Sequence, residues 1–237
     1  MPIYLPQLTA DPLWFPPVSA TLTTPDGLLA MGGDLSVTRL HHAYRSGVFP
    51  WFSEGDPLLW WSPSTRAVFA PGDLQLNRSL RKYHKQQHFR YSRNRAFAEV
   101  IAHCATLPRR NQAGTWIVNE MQQAYLALHR AGLAHSIEVW RDEALVGGLY
   151  GIAIGGLFCG ESMFNLQPNT AKLALCMLQH QLSGYCEGWI DCQMPNPFLL
   201  QLGVKSISKN DYLDLLLQLR NQPIPESAWT AADLEFN

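Results

Sequence analysis

Residues 134–164 read AHSIEVWRDEALVGGLYGIAIGGLFCGESMF. Three strand-like runs stand in this stretch, Ser136–Trp140, Leu145–Ile154 and Leu157–Phe164, all dense in branched and aromatic residues. The connections between them, Arg141–Ala144 and Gly155-Gly156, are tight, so the runs are expected to pair as antiparallel hairpins. The uncharged part, Ala144–Gly160, holds six glycines. It is too short and too glycine-rich for a membrane span, and no membrane association is expected.

Outward from this meander the pattern turns helical. Asn94–Thr106 carries Phe97, Val100, Ile101 and Cys104 on one face, and Glu120–Ala131 runs to a stop at Gly132. Downstream, Asn169 or Thr170 is placed to cap a helix reaching Leu182 or Ser183. A short strand, Trp189–Gln193, follows. Then come a short helix, Pro197–Leu202, a strand, Val204–Ile207, and a last helix, Asp211–Arg220. With a short strand at Ala67–Ala70, the expected class is α+β, one mainly antiparallel sheet covered by helices.

The first part of the chain has another texture. Ten of the 16 prolines fall within the first 71 residues, which rules out one regular sheet or a long helix there. Short elements joined by turns are expected, with one helix over Val37–Ser46 capped by Asp34 or Ser36. The division implied is a small domain over 1–66 and a larger one over 67–237. The aromatics Tyr44, Phe49, Trp51, Phe52, Trp60 and Trp61 make either a small core wrapped by loops or a stacking surface.

Composition bounds the rest. The chain has 237 residues, 47% hydrophobic and 16% charged, enough to bury a core without a disulfide or metal staple. The five cysteines are odd in number and none form CxxC, so reduced thiols in a cytoplasmic protein are expected. Met1–Gln7 lacks a basic start and an apolar run, so no signal peptide is expected. There is no GxG and no GxxxxGK[ST], hence no dinucleotide fingerprint, kinase loop or P-loop. Gly160-Glu161-Ser162-Met163-Phe164 lacks the final glycine of a nucleophile elbow.

The net charge of −1 hides an asymmetry. Between Arg66 and Arg110 stand ten Lys/Arg against only Asp73 and Glu99. From Arg78 to Arg95 there are seven basic residues and no acid, with Tyr83, Phe89 and Tyr91 interleaved. Such a run is either the footprint of a polyanion contact or a solvated face balancing acid elsewhere. His84 and His88 have helical metal-ligand spacing, but with no third ligand beside them and cations all round they are expected to be surface or phosphate-facing.

Few polar residues stand inside the apolar runs. Glu161 closes the uncharged stretch, and Asp191 and Gln193, two apart on one strand, would share a sheet face with Cys192 opposite. A buried acid needs partners. Backbone N–H groups or an arginine would make it structural, whereas an acid beside an amide could hold an amine.

Nine motifs carry a resemblance. They are PDGLLA at 25–30, GGDLS at 32–36, GVFPWF at 47–52, LWWSP at 59–63, GTWI at 114–117, AHSIEVW at 134–140, LVGGLYG at 145–151, LFCGESMF at 157–164 and IDCQ at 190–193. In these, in order along nearly the whole chain, it resembles the leucyl/phenylalanyl-tRNA–protein transferases. The resemblance implies transfer of Leu, Phe or Met from aminoacyl-tRNA to the amino-terminal Arg or Lys of an acceptor protein, marking it for degradation. It also implies a small amino-terminal domain beside an N-acetyltransferase-like domain, with Glu161, Asp191 and Gln193 as the catalytic group. Tyr44, Trp51, Trp116 and Tyr125 would line the place of the tRNA's terminal adenosine and side chain. Leu149, Phe158, Met163, Leu175, Leu178, Leu182 and Ile190 would form the apolar pocket for the amino acid. Leu149 departs from the methionine expected in LVGGMYG, a change of similar volume that should only tune preference. Arg78, Arg81, Lys82, Lys85, Arg90 and Arg93 would hold the acceptor stem through its phosphates.

An aminoacyl ester is already activated, so no cofactor, ATP or metal is expected. A monomer is expected as well. Strand alternation puts Phe158 opposite Glu161 and Met163, so all three can serve one site only if a β-bulge lies near Gly160. Two rival readings differ in class. A CoA-dependent acetyltransferase would need a glycine-rich loop where the chain has Asn165–Thr170 without glycine. A non-catalytic RNA-binding module would leave Glu161, Asp191 and Gln193 without a role.

Overall fold

The structure, a computed structural model, describes residues 4–107 and 116–236. Arg109 and Arg110 of the basic segment, and Gly114 and Thr115 of GTWI, lie outside the described residues.

The proline-rich part makes only short pieces, β1 (Gln7–Leu8), β2 (Leu28–Gly32), α1 (Val37–Arg45), β3 (Phe49–Pro50) and β4 (Leu59–Trp61). Their strands form one small sheet in the order β1-β2-β4-β3. Ser36 caps α1, its hydroxyl accepting from the Arg39 N–H. The larger part follows with β5 (Thr65–Phe69), α2 (Arg78–Gln87), β6 (Arg90–Arg93), α3 (Phe97–Thr106), α4 (Asn119–Arg130), β7 (Ala134–Arg141), β8 (Ala144–Ile154) and β9 (Leu157–Asn165). The chain ends through α5 (Thr170–Leu182), β10 (Trp189–Asp191), α6 (Pro197–Gln201), β11 (Lys205–Ser208), α7 (Lys209–Leu219) and β12 (Ala232–Leu234). Eight strands make the large sheet, ordered β11-β5-β10-β9-β8-β7-β6-β12.

The α+β class and the β7-β8-β9 meander are as the sequence predicts. The sheet is antiparallel except where β10 joins β9 in parallel, because α5 carries the chain back to start β10 in the direction of β9. The small sheet ends at Trp61 and the large one begins at Thr65. Pattern reading missed α2, β6 and β12. In α2 the charges hide a single buried anchor, Leu80, and β6 is only four residues, Arg90–Arg93, with an arginine at each end and no apolar alternation. The helix expected from Asn94 begins at Phe97, since Asn94 takes a positive φ of 57° and spends its side chain on the Ser136 N–H and the Trp229 carbonyl. The strand expected to reach Gln193 stops at Asp191, since Gln193 turns to φ 56°.

Two apolar clusters fill the two faces of the large sheet. One joins α1, β2 and β4 to α3, α4 and α7 through Leu29, Leu40, Trp60, Val100, Tyr125 and Tyr150. The small sheet thus shares a core with the large one. The other packs α5, α2 and α6 against the opposite face through Leu173, Met177, Leu80 and Leu199.

The expected bulge is present. Tyr150 pairs with Ser162 and Gly151 with Gly160, leaving Glu161 as the extra residue of β9. The shift of phase puts Phe158 and Met163 in the same apolar cluster. Gly151 is required opposite it, because a Cβ there would stand 2.2 Å from the Cys159 carbonyl. Among the described residues no helix is long and apolar enough to cross a membrane.

Candidate active site

Where the β9–β10 ladder ends, at Cys159 and Asp191, the bulge inside β9 and the turn at Gln193 bring three polar side chains together. Asp191 is fully buried on β10. Its Oδ1 accepts from Arg66 Nε at 2.9 Å and from the Gln193 backbone N–H at 2.9 Å. Its Oδ2 accepts from Arg66 Nη2 at 2.8 Å and from the Tyr212 hydroxyl at 2.9 Å. Four donors on one carboxylate fill an acceptor-only group. Arg66 comes from β5, where it is the diagonal neighbour of Asp191, whose direct partner is Val68. Its remaining amino group donates to the Gly47 carbonyl at 3.2 Å, and its guanidinium lies over the rings of Tyr212 and Phe49. Burial works against the Arg66 charge, but Asp191 facing it outweighs that and holds the guanidinium above its ordinary value. The alternative of an acid satisfied by an arginine and a backbone N–H therefore describes Asp191.

Glu161 is held differently. Its Oε2 accepts from the Tyr125 hydroxyl at 2.6 Å, and its Oε1 from Gln193 Nε2 at 3.1 Å. The Tyr125 hydroxyl lies 2.7 Å from that of Tyr44. A phenol has one hydrogen, so with Tyr125 donating to Glu161, Tyr44 donates to Tyr125. Burial, with the nearby Glu161 charge next, pushes both phenols well above their ordinary range, so they stay protonated donors. Burial likewise pushes the Glu161 carboxyl up to about 7, against the pull of the Tyr125 and Tyr44 hydrogen bonds.

Gln193 is therefore fixed at both ends. Its backbone N–H goes to Asp191, its amide N–H to Glu161, and its carbonyl accepts from the Ala67 N–H at 3.0 Å. The side-chain Oε1 has no protein partner among the described residues and is the acceptor left for a ligand.

Beside it is a cavity of about 100 Å³. Glu161 and Gln193 give it a polar rim, and Leu149, Met163, Leu175, Leu178 and Leu199 give it apolar walls, with Gly160, Ser162, Cys192 and Asn196 completing it. Several implied positions do not line it. Phe158, Leu182 and Ile190 are buried in the same cluster behind it, and the Phe158 ring stacks on Trp229 at 5.6 Å. Tyr44 and Tyr125 expose almost nothing, so the expectation that they face an adenosine is corrected: both act on Glu161. Trp51 is exposed and meets Trp61 edge-on at 5.5 Å, and Trp116 is part-buried on the first cluster. Neither lines the cavity.

Arg66, Tyr212, Asn196 and Leu199 were missed. Arg66 and Tyr212 lie far from Asp191 in sequence, Leu199 is an apolar helix residue, and Asn196 reads as the cap of α6. A buried Asp191 demanded a cation, but nothing local named which one.

The basic run divides. Arg78, Arg81, Lys82 and Lys85 stand exposed on α2, whose N-cap Asn77 accepts from the Leu80 N–H. None of the four has an acidic partner within 4.0 Å among the described residues. Arg90 is exposed and near Glu143 at 3.7 Å. Arg93 is a correction: it is buried, donating to the Thr230 and Ser227 carbonyls, because its side chain points into the sheet face that the carboxy-terminal segment covers. Phe89 and Tyr91 are buried as well, so they offer no stacking surface. His84 bonds the Tyr91 hydroxyl at 2.8 Å, and His88 ends α2 with a positive φ.

The family model described as leucyl/phenylalanyl-tRNA protein transferase matches residues 68–217, and the one described as its N-terminal domain matches residues 33–64. The leucyl/phenylalanyl-tRNA–protein transferase of Shewanella piezotolerans is 51% identical over 230 residues, 97% of each chain. That of Shewanella halifaxensis is 50% identical over 232 residues, 98% of each chain. That of Shewanella sp. strain ANA-3 is 51% identical over 220 residues, 93% of each chain.

Proposed function

The chain belongs to the leucyl/phenylalanyl-tRNA–protein transferase family, and on that premise we propose how its site performs the transfer and on which acceptors. It is an aminoacyltransferase using leucyl- and phenylalanyl-tRNA. Methionine is a third donor, the acceptors are proteins with amino-terminal Arg or Lys, and the product is marked for degradation. The enzyme works in the cytoplasm as a monomer, with 1–66 as a small domain beside the transferase domain over 67–237.

The observation that carries the reading is Gln193, an amide pinned on both sides at the rim of an apolar cavity. The donor's side chain enters that cavity among Leu149, Met163, Leu175 and Leu178. Its ester carbonyl then lies by Gln193. The acceptor's neutral α-amine donates to Gln193 Oε1, which aims its lone pair at the carbonyl carbon. Ionised Glu161, accepting from Gln193 Nε2, polarises the amide and makes Oε1 the stronger acceptor. The C–N bond forms, the ester C–O bond breaks, and the proton lost by nitrogen ends on the departing ribose oxygen. Positioning supplies most of the acceleration, as the ester is already activated. Exposed α2 cations hold the acceptor stem by its phosphates.

The test is transfer of radiolabelled leucine from Leu-tRNA to a protein with amino-terminal arginine, without ATP. Transfer that falls steeply in Gln193→Ala supports both reaction and site. Tight RNA binding without transfer would leave a binding module.

A further inference from the structure

Two hydrogen-bond chains leave Gln193 and end on the same short segment. One runs from its amide through Glu161 and Tyr125 to Tyr44. The other runs from its backbone N–H through Asp191 and Arg66 to the Gly47 carbonyl. Tyr44 is on the last turn of α1, and Gly47 follows the helix at φ 76°. The positive φ favours glycine here, and a Cβ at Gly47 would also stand 2.8 Å from a methyl of Leu213 on α7.

We propose that Arg66 is a positioning residue for the transfer, which fixes Asp191 and through it the left-handed backbone of Gln193, using the end of α1 as its anchor. The claim rests on the reading of Gln193 as the acceptor of the amine. Several facts point to positioning rather than plain stabilisation. Arg66 uses its planar fork, two parallel bonds to both oxygens of Asp191, which fixes the carboxylate's orientation as well as its charge. Tyr212 closes the same oxygen from α7 and also lies 3.3 Å from Arg66 Nη2, so the carboxylate has no second orientation to adopt. Gln193, a residue with a side chain at φ 56°, needs an outside force to stay there, and the Asp191–N–H bond is one of its two backbone ties. Arg66 itself does not line the cavity and cannot touch the substrate. The amino-terminal part would thus set the aim of the catalytic amide without contributing a group to the reaction.

The experiment compares Arg66→Lys, Arg66→Met and Tyr212→Phe with the parent enzyme and with Gln193→Ala. It measures kcat, KM for Leu-tRNA, the pH profile of kcat and the melting curve. A lysine keeps the charge and loses the fork, so kcat in Arg66→Lys should fall about 10- to 100-fold with KM for the donor unchanged. Tyr212→Phe should lower kcat less, with the melting curve nearly kept. In Arg66→Met a nearby cation that favours ionised Glu161 is lost, so the acid limb of kcat, which Glu161 sets, should move to higher pH. Parent-like kcat in folded Arg66→Lys and Tyr212→Phe would overturn the proposal, and so would a loss confined to KM. If Arg66→Met and Arg66→Lys fail to fold, Tyr212→Phe still decides. Full activity in Gln193→Ala would instead remove the reading of Gln193, a separate failure.

Discussion

Glu161 Oε1 lies 3.1 Å from Gln193 Nε2, two residues beyond Cys159 and Asp191, the last pair of the parallel β9–β10 ladder. Regular strands would have sent these side chains along their own faces. The bulge turns Glu161 and the positive φ turns Gln193, so the two meet where the ladder opens.

Removing the amide should therefore abolish most of the rate and little of the binding. Gln193→Ala should lower kcat by about 10²- to 10³-fold, the usual size for one oriented polar group at a reacting centre. Donor affinity, measured by filter binding of Leu-tRNA, should stay at the parent value. A rate within a few-fold of the parent would remove Gln193 from the mechanism.

Glu161 sets the pH dependence. Its carboxyl titrates near 7 because burial favours the neutral form. The ionised form is the one that accepts from both Tyr125 and Gln193, so kcat should fall as pH drops through about 7. Stability runs the other way. The folded state binds the proton more tightly than the unfolded chain, so its contribution is full at low pH and is lost as pH rises through about 7. Glu161→Gln, which cannot ionise, should melt above the parent at pH 8, and the gap should close toward pH 5. A gap that is constant with pH would contradict the shifted carboxyl.

The cavity of about 100 Å³ should rank the donors by size. Leu178→Ala widens it from α5 and should raise the ratio of Phe to Leu transfer, within the ~1–3 kcal/mol that apolar pockets discriminate. The same truncation should cost about 2–5 kcal/mol of stability, since Leu178 is buried. Competition between charged tRNAs, read as kcat/KM ratios, checks this. An unchanged ratio would place the donor side chain elsewhere.

The basic segment should split by burial. Arg81→Ala with Lys82→Ala removes two exposed cations, so binding of all donor tRNAs should weaken alike and the salt slope should flatten. Arg93→Ala should leave the salt slope intact and lower the melting temperature, since its guanidinium ties β6 to the carbonyls of Ser227 and Thr230. A salt-slope change in Arg93→Ala of the same size as in the double variant would reverse the assignment.

What the sequence determined is whatever repeats within a few residues. The β7-β8-β9 meander and the apolar faces of α3, α4 and α5 follow from local period, since alternation and helical spacing are set along the chain. The bulge in β9 followed from alternation only when joined to the family resemblance, which puts Phe158, Glu161 and Met163 around one site. The motif residues Glu161, Asp191 and Gln193 were legible for the same reason, as polar groups inside apolar runs. The tertiary structure alone decided which partners meet. Arg66 reaches Asp191 from a residue 125 positions away, and Tyr44 reaches Tyr125 across 81. It also decided that Tyr44, Tyr125 and Arg93 are inside while Arg81 and Lys82 are outside. Side-chain type sets the need for a partner or for solvent. Only the packing of separate elements determines which need is met and where.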